Sequence, residues 1–197
     1  MLTSYKMHLR QNTIAFFSVF VAAYAMTLFG SYEIEMGSLI YLPYYIYLPL
    51  GAKILMYLLF GFSVFPGIII SCVVTGVVLF NSWNDHLLIG TLAACAGASA
   101  PIIVMIFMKL LNICNFNNLK NIDFKNILLL IIFTSMASAT LKFFVYTQGT
   151  IDLGVIDFIA HYITGDIFGS LIVIYFVLKV IAPILVKISH MNSIAKS

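Results

Sequence analysis

Residues 47–67 read Tyr-Leu-Pro-Leu-Gly-Ala-Lys-Ile-Leu-Met-Tyr-Leu-Leu-Phe-Gly-Phe-Ser-Val-Phe-Pro-Gly, an apolar segment with one charged side chain, Lys53. The segment is apolar enough to lie in a lipid bilayer. An isolated charge in the hydrocarbon costs roughly 3 kcal/mol or more. Another group in the chain must therefore pair with Lys53 or hydrate it.

The composition is that of an integral membrane protein. Of 197 residues, 62% are hydrophobic and 9% charged, whereas about 25% of a soluble domain is charged. The longest polar stretch, Asn112–Asn126, is too short for a soluble domain. We therefore expect one membrane domain over residues 1–197, without an attached kinase, nuclease or ATPase. The net charge of +3 does not indicate a nucleic-acid partner, and the 3 irregularly spaced cysteines predict no disulfide framework, metal site or other cofactor.

Six apolar segments predict an all-α, polytopic bundle of transmembrane helices. The predicted spans are approximately 13–29, 38–60, 66–80, 87–111, 127–145 and 158–186. Pro43 and Pro49 interrupt the start of the second span. The sequence leaves open whether Ser38–Pro49 is helical or a re-entrant lead-in, and hence a count of five or seven spans.

The charges between the spans predict the orientation. One side of a six-span chain receives seven basic residues, namely Lys6, Arg10, Lys109, Lys120, Lys125, Lys187 and Lys196. The other side receives five acidic residues and no lysine or arginine outside a span, the acids being Glu33, Glu35, Asp85, Asp152 and Asp157. Because the basic side is cytoplasmic, we expect both termini in the cytoplasm.

Two charges inside the predicted spans lie at similar depths. Lys53 is ten residues from Pro43, and Asp166 is nine residues from Asp157. At ~1.5 Å per residue, both are ~15 Å from the outer face. Opposite charges at one depth are expected to meet. Lys53 and Asp166 are thus candidates for a ligand or proton site, or for a structural ion pair between the second and sixth helices.

A second polar group lies nearer the outer surface. Asp157 and His161 are one helical turn apart and face the same way, so they form a candidate polar site at the outer rim. Asp85 and His86 lie in another outer loop. A divalent-metal site is one alternative, but two histidines and acids on separate loops are weak evidence. A solvated rim explains the same residues without a metal.

Ser99 and Asp166 are the residues that could indicate an intramembrane protease. Ser99, after Gly97-Ala98, together with His161 resembles the serine and histidine of rhomboid proteases, but Ala100 replaces the last glycine of that family's motif and its other motifs are absent. Small-residue packing of the helix explains the same stretch. Aspartyl intramembrane chemistry needs two carboxylates at one site, and Asp166 is the only acid inside a predicted span. We therefore expect a protein that is not an enzyme.

Several motifs resemble a family of bacterial membrane-associated sensor domains, the first of these families to be named. Its members are fused to histidine kinases and to cyclic-di-GMP enzymes. The motifs are Leu48–Lys53, Leu58–Gly61, Pro66–Gly67, the stretch Thr164–Asp166 and the following Gly169. In that family a basic residue follows Leu-Pro in helix two, which is the position of Lys53. Gly165 and Gly169 also form a small-residue step suited to helix packing. The family commonly has about eight spans and an output domain, whereas we expect six spans here and no output domain.

The resemblance implies a non-catalytic module of the bacterial inner membrane that binds a small ligand or a partner protein in a polar intramembrane pocket. Its expected partners are the lipid bilayer and a membrane or signalling protein, and a homo-oligomer is left open. A small transporter, or the substrate-binding subunit of a vitamin-type transporter, is the alternative of similar size. A rhomboid-like protease ranks last.

Overall fold

The computed structural model describes residues 2–29, 34–36, 39–41, 45–79, 87–114, 116, 123–147 and 155–181. These residues form a helical bundle with a short antiparallel hairpin after the first helix. The helices are α1 (Leu2–Met26), α2 (Leu48–Phe60), α3 (Phe65–Val78), α4 (Leu87–Leu110), α5 (Phe124–Thr147) and α6 (Val155–Phe176). The hairpin strands are β1 (Ile34–Met36) and β2 (Leu39–Tyr41), a 3₁₀ turn (Gly61–Val64) joins α2 to α3, and a π-helical turn (Val177–Ile181) follows α6.

The chain is a membrane protein. Four helical segments of the described residues are long and apolar enough to cross a bilayer, namely Leu48–Val78, Leu87–Leu110, Phe124–Tyr146 and Ile156–Val180. Helix α1 is not among them, because its first half is polar and carries Lys6 and Arg10.

The first of these segments folds back on itself. Lys53 and Tyr57 on α2 both interact with Cys72 on α3. In one straight helix Lys53 and Cys72 would be separated by roughly 28 Å, so their contact requires a reversal at the 3₁₀ turn. Gly61 begins this turn with φ of 70°, a conformation that glycine adopts without strain. The chain therefore reverses direction between α2 and α3.

The second predicted span starts too early. Residues 39–41 lie in strand β2, and the helix begins at Leu48 instead of Ser38. Pro49 explains the later start, because proline suits the first turn of a helix and restricts the residue before it. The predicted all-α class is confirmed, and the β1–β2 hairpin, whose strands have three residues each, is a small addition to it. Residues 182–186 of the sixth predicted span lie outside the described residues.

Helices α1 and α3 pack side by side and run in the same direction. The Gly67 N–H donates to Asn12 Oδ1 at 2.8 Å, and Ser71 Oγ donates to the Phe16 carbonyl oxygen at 2.9 Å. Asn12 Nδ2 also donates to the Ser63 carbonyl oxygen in the 3₁₀ turn. A Cβ at Gly67 would collide with the backbone of Asn12. The Pro-Gly sequence at the start of α3 is thus needed for close contact with α1.

Helices α2 and α6 also pack side by side and run in the same direction. The Tyr47 N–H donates to the Gly165 carbonyl oxygen at 2.9 Å, and a Cβ at Gly169 would collide with the Tyr47 backbone. One turn further along, a Cβ at Gly51 would lie 2.7 Å from the Ser170 Cα. The contact of α2 with α6 agrees with the depth argument. However, α2 begins beside Gly165, roughly 15 Å along α6.

Candidate functional site

Three charged side chains are buried where helices α2, α5 and α6 meet. Lys53 on α2 is 2% exposed, Lys142 on α5 is 6% exposed, and Asp166 on α6 is 0% exposed. Charged residues are almost never fully buried unless they are paired. Their shared burial marks this region as the candidate site.

The two lysines converge on a glycine of α4. A Cβ built at Gly97 would lie 3.6 Å from Lys53 Nζ, 4.0 Å from Lys142 Nζ and 3.2 Å from Lys142 Cε. The two ammonium groups therefore share one small volume beside α4. A larger residue at position 97 would occupy part of that volume.

Aromatic rings complete the surroundings of the lysines. The centroid of the Tyr47 ring is 5.8 Å from Lys53 Nζ and 4.7 Å from Lys142 Nζ, and the Tyr162 ring centroid is 4.8 Å from Lys142 Nζ. These distances are within the range of cation–π attraction. Tyr47 precedes the first turn of α2, and the Lys53 side chain reaches back towards it, as helical side chains do.

Asp166 is the acidic member of the site. It interacts electrostatically with both Lys142 and Lys53. Within the described residues, however, neither carboxylate oxygen is hydrogen-bonded to a lysine, and the neighbouring group that can donate to the carboxylate is the Ser138 hydroxyl. The two lysines and the aspartate carry a formal net charge of +1. The site is therefore an open arrangement of charges and differs from a closed salt bridge.

A row of polar groups extends from Asp166 along the contact of α5 with α6. These two helices are antiparallel, with Lys142 against Tyr162 and Ser138 against Asp166. The same register places Thr134 level with Ser170, one turn further on each helix. The side-chain oxygens of Thr134, Ser138 and Ser170 are buried and, within the described part of the chain, lack hydrogen-bond partners. Adjacent buried oxygens without partners indicate bound water or a ligand.

The structure brings together the two predicted residues, Lys53 and Asp166, but adds a third that sequence reasoning missed. Lys142 lies near the end of the predicted span 127–145, yet it is almost as deeply buried as Lys53. The excess of lysines over acids inside the predicted spans could have indicated a third residue. The predicted spans contain four lysines, Lys53, Lys109, Lys142 and Lys179, but only one acid, Asp166. Pairing Lys53 with Asp166 therefore leaves Lys142 without a counter-charge inside the spans.

The predicted outer-rim residues lie earlier on α6. Asp157 is exposed, and its carbonyl oxygen is 2.7 Å from His161 Nδ1 within the same helix. The alternative of a divalent-metal site also involved Asp85 and His86, which lie outside the described residues. Within the described ranges, no three His, Cys, Asp or Glu side chains lie close enough together to hold a metal ion.

Ser99 has a local partner. Its Oγ donates to the Ala96 carbonyl oxygen of the same helix at 2.9 Å. The buried neighbours Ala94, Ala98 and Ala100 give α4 a small-residue face, which allows close helix packing in lipid. Tyr57 uses this face, because its hydroxyl donates to the Ala98 carbonyl oxygen at 2.8 Å.

Comparisons of the chain with protein families, with curated proteins and with solved structures find no match.

Proposed function

We propose that this protein is a non-catalytic module of the bacterial inner membrane, of sensor-domain type, that binds a small ligand between Lys53, Lys142 and Asp166. The observation that carries the proposal is the convergence of two buried lysines beside Gly97, with buried Asp166 facing them and, in the described structure, not hydrogen-bonded to either. A purely structural ion pair has no use for a second lysine. A ligand site uses the additional charge for recognition.

The proposal includes six membrane crossings with both termini in the cytoplasm. The relative orientations of three helix pairs support this topology. Helix α1 runs parallel to α3, α2 runs parallel to α6, and α5 runs antiparallel to α6. Alternating spans require these relationships, since the first and third spans point one way and the second and sixth the other. The basic residues of the sequence then fall on the cytoplasmic side.

The sensor-type assignment draws on the roles of the motif residues in the packing. Gly61 makes the reversal between α2 and α3, Gly67 lets α1 approach, and Gly169 lets the start of α2 approach α6. The basic residue of the motif, Lys53, lies at the charged site. These motifs therefore include the residues that hold α2 against its neighbours. A membrane or signalling protein would pass on the response to the ligand.

A transport function is the second candidate, and the position of α2 favours it. Because Tyr47 contacts Gly165 half-way along α6, the N-terminus of α2 lies within the bundle. Helices that begin inside the membrane commonly form substrate sites in transporters. A substrate-binding subunit would use the same charged site and would associate with an ATPase.

The unfolding temperature of the full chain in detergent tests ligand binding. Small carboxylates, amines and sugars are added separately to the wild-type protein and to Lys53→Met, Lys142→Met and Lys109→Met. We expect one class of solute to raise the unfolding temperature in a saturable manner. The increase should vanish in the first two variants and persist in Lys109→Met, whose side chain is exposed at the end of α4. An increase that survives in all three variants would place binding elsewhere, and no increase with any solute would contradict ligand binding.

Flux separates the two candidate functions. The solute that raises the unfolding temperature is supplied to liposomes containing the purified chain, and its uptake is compared with that of empty liposomes. A sensor module should bind the solute without transporting it. Uptake by the chain, or copurification with an ATPase that supports uptake, would favour transport.

A further inference from the structure

The net charge of the site limits the ligands that it can hold. Lys53 and Lys142 contribute two positive charges and Asp166 one negative charge, all in a buried setting. Unbalanced charge is costly at this depth. A ligand with a single negative charge brings the total to zero, a dianion leaves one negative charge, and an amine adds a third cation.

The two lysines form the part of the site that would hold the anionic group. A lysine ammonium only donates hydrogen bonds, and both Nζ atoms converge beside Gly97, a position that has no side chain of its own. The N-terminus of α2 begins at Tyr47, whose ring lies against both lysines. The positive end of that helix dipole favours an anion in the same place.

Asp166 and its hydroxyl neighbours form the other part. An ionised carboxylate only accepts hydrogen bonds and has several acceptor positions, and in the described structure neither Asp166 oxygen is hydrogen-bonded to a lysine. Ser138 Oγ lies next to Asp166, and the oxygens of Ser170 and Thr134 continue the row without partners there. A hydroxyl on the ligand can donate to Asp166 and accept from Ser138. A plain carboxylic acid cannot satisfy this part of the site.

We propose that the ligand is a small monocarboxylate that carries a hydroxyl group, with its carboxylate between Lys53 and Lys142 and its hydroxyl on Asp166. This inference rests on the proposed ligand-binding function and specifies its chemical class. The site holds three charges and three hydroxyl groups in one connected row, and this ligand matches both. The carboxylate neutralises the additional lysine charge, and the hydroxyl supplies Asp166 with a donor in addition to the neighbouring Ser138 hydroxyl.

The test compares three probes on the full chain in detergent at constant ionic strength. The probes are lactate, which has the hydroxyl, propionate, which lacks it, and malate, which has a second carboxylate. We expect lactate to raise the unfolding temperature in a saturable manner, with an apparent affinity about tenfold or more above that of propionate. Malate should bind more weakly than lactate. Equal affinities for lactate and propionate, or stronger binding of malate, would overturn the proposal.

Two variants separate charge from hydrogen bonding. Asp166→Asn raises the formal charge of the site from +1 to +2, so malate should become the preferred probe over lactate. Ser138→Ala keeps the charge and removes one hydroxyl, so lactate should lose affinity several-fold while propionate is unchanged. If Asp166→Asn does not fold, Ser138→Ala still tests the proposal. An unchanged order of preference in folded Asp166→Asn, or equal losses for both probes in Ser138→Ala, would contradict the assignment.

Failure of this inference is distinguishable from failure of the proposed function. If an amine, a sugar or a dianion stabilises the protein and the effect requires Lys53 and Lys142, the site binds a ligand of another class. If no solute stabilises the protein, both proposals fail. If lactate stabilises Lys53→Met and Lys142→Met as well as the wild type, its binding site lies elsewhere and the inference is wrong.

Discussion

Lys53 and Lys142 reach the same side of helix α4 from two different helices, and both ammonium groups lie within about 4 Å of the Cβ position of Gly97. Two like charges in a medium of low dielectric constant repel each other strongly. The arrangement therefore depends on groups that offset the repulsion. Asp166 and the ring of Tyr47 are the two that contact or face both lysines.

Two buried glycines should respond differently to the same substitution. In Gly97→Ala the new Cβ would meet the flexible ends of two lysines, whereas in Gly169→Ala it would collide with the Tyr47 backbone. Alanine favours a helix by up to about 1 kcal/mol over glycine. We expect Gly97→Ala to be nearly neutral and Gly169→Ala to lower the unfolding temperature clearly. Equal unfolding temperatures for the two variants would contradict the close packing of α2 on α6.

Asn12 should contribute to stability through its side chain. It accepts from the Gly67 N–H and donates to the Ser63 carbonyl oxygen, so it joins α1 to the start of α3. Asn12→Ala leaves those groups without a partner, at a cost of about 1–3 kcal/mol. Thr13→Ala is the matched control, because Thr13 is exposed and bonds only within its own helix. Thermal unfolding in detergent should show a loss for the first variant and almost none for the second.

Labelling of Cys114 tests the membrane orientation. This residue lies beyond the end of α4, on the side predicted to be cytoplasmic, whereas Cys72 is buried and Cys95 lies within α4. A membrane-impermeant maleimide should label it only after cells are opened. Burial raises the pKa of the Cys114 thiol, and Asp123 raises it further. Labelling should therefore accelerate as the pH increases from about 7 to about 9.

The control for this experiment is Cys114→Ser, which should remove the label. Labelling of Cys114 in intact cells would put the loop after α4 outside and reverse the proposed topology. A reporter fused near Asp152 should read as external in the same cells.

Ser99 should not act as a nucleophile. Its hydroxyl donates to a carbonyl of its own helix, as a packing residue does. Ser99→Ala should keep the unfolding temperature and any activity of the intact system. A proteolytic activity that is present in the wild type and lost in folded Ser99→Ala would restore the protease alternative.

The depth argument predicted the contact of α2 with α6 for a sound physical reason, but from a wrong starting point. A buried lysine and a buried aspartate must meet something polar, and that requirement holds wherever each helix begins. The start of α2 was harder to predict, because Ser38–Pro49 is apolar enough for a span and the effect of Pro49 on the backbone depends on its neighbours. The structure places Leu48, the first residue of α2, beside Gly169 of α6.

Lys142 shows why the site was only partly predictable. Near a helix end, a lysine can extend its ammonium group to the membrane surface, and sequence alone does not say which way it turns. Here the side chain turns inward to Tyr47 and Tyr162. The choice depends on two rings from other helices. The roles of Ser138 and Ser170 were equally difficult to predict from the sequence, because serine is also a common packing residue between membrane helices.

The most direct test of the central claim is a double-mutant cycle on the free energy of unfolding with Lys142→Met and Asp166→Asn. Each single variant removes one of two opposite charges that interact across the site, so each should lower the free energy of unfolding. The account predicts that the double variant is less destabilised than the sum, with a coupling energy of about 1–3 kcal/mol. A parallel cycle with Lys53→Met and Asp166→Asn measures whether the second lysine is coupled to Asp166 as well. Additivity of Lys142→Met and Asp166→Asn within about 0.5 kcal/mol would show that the two charges do not meet, and the site described here would not exist.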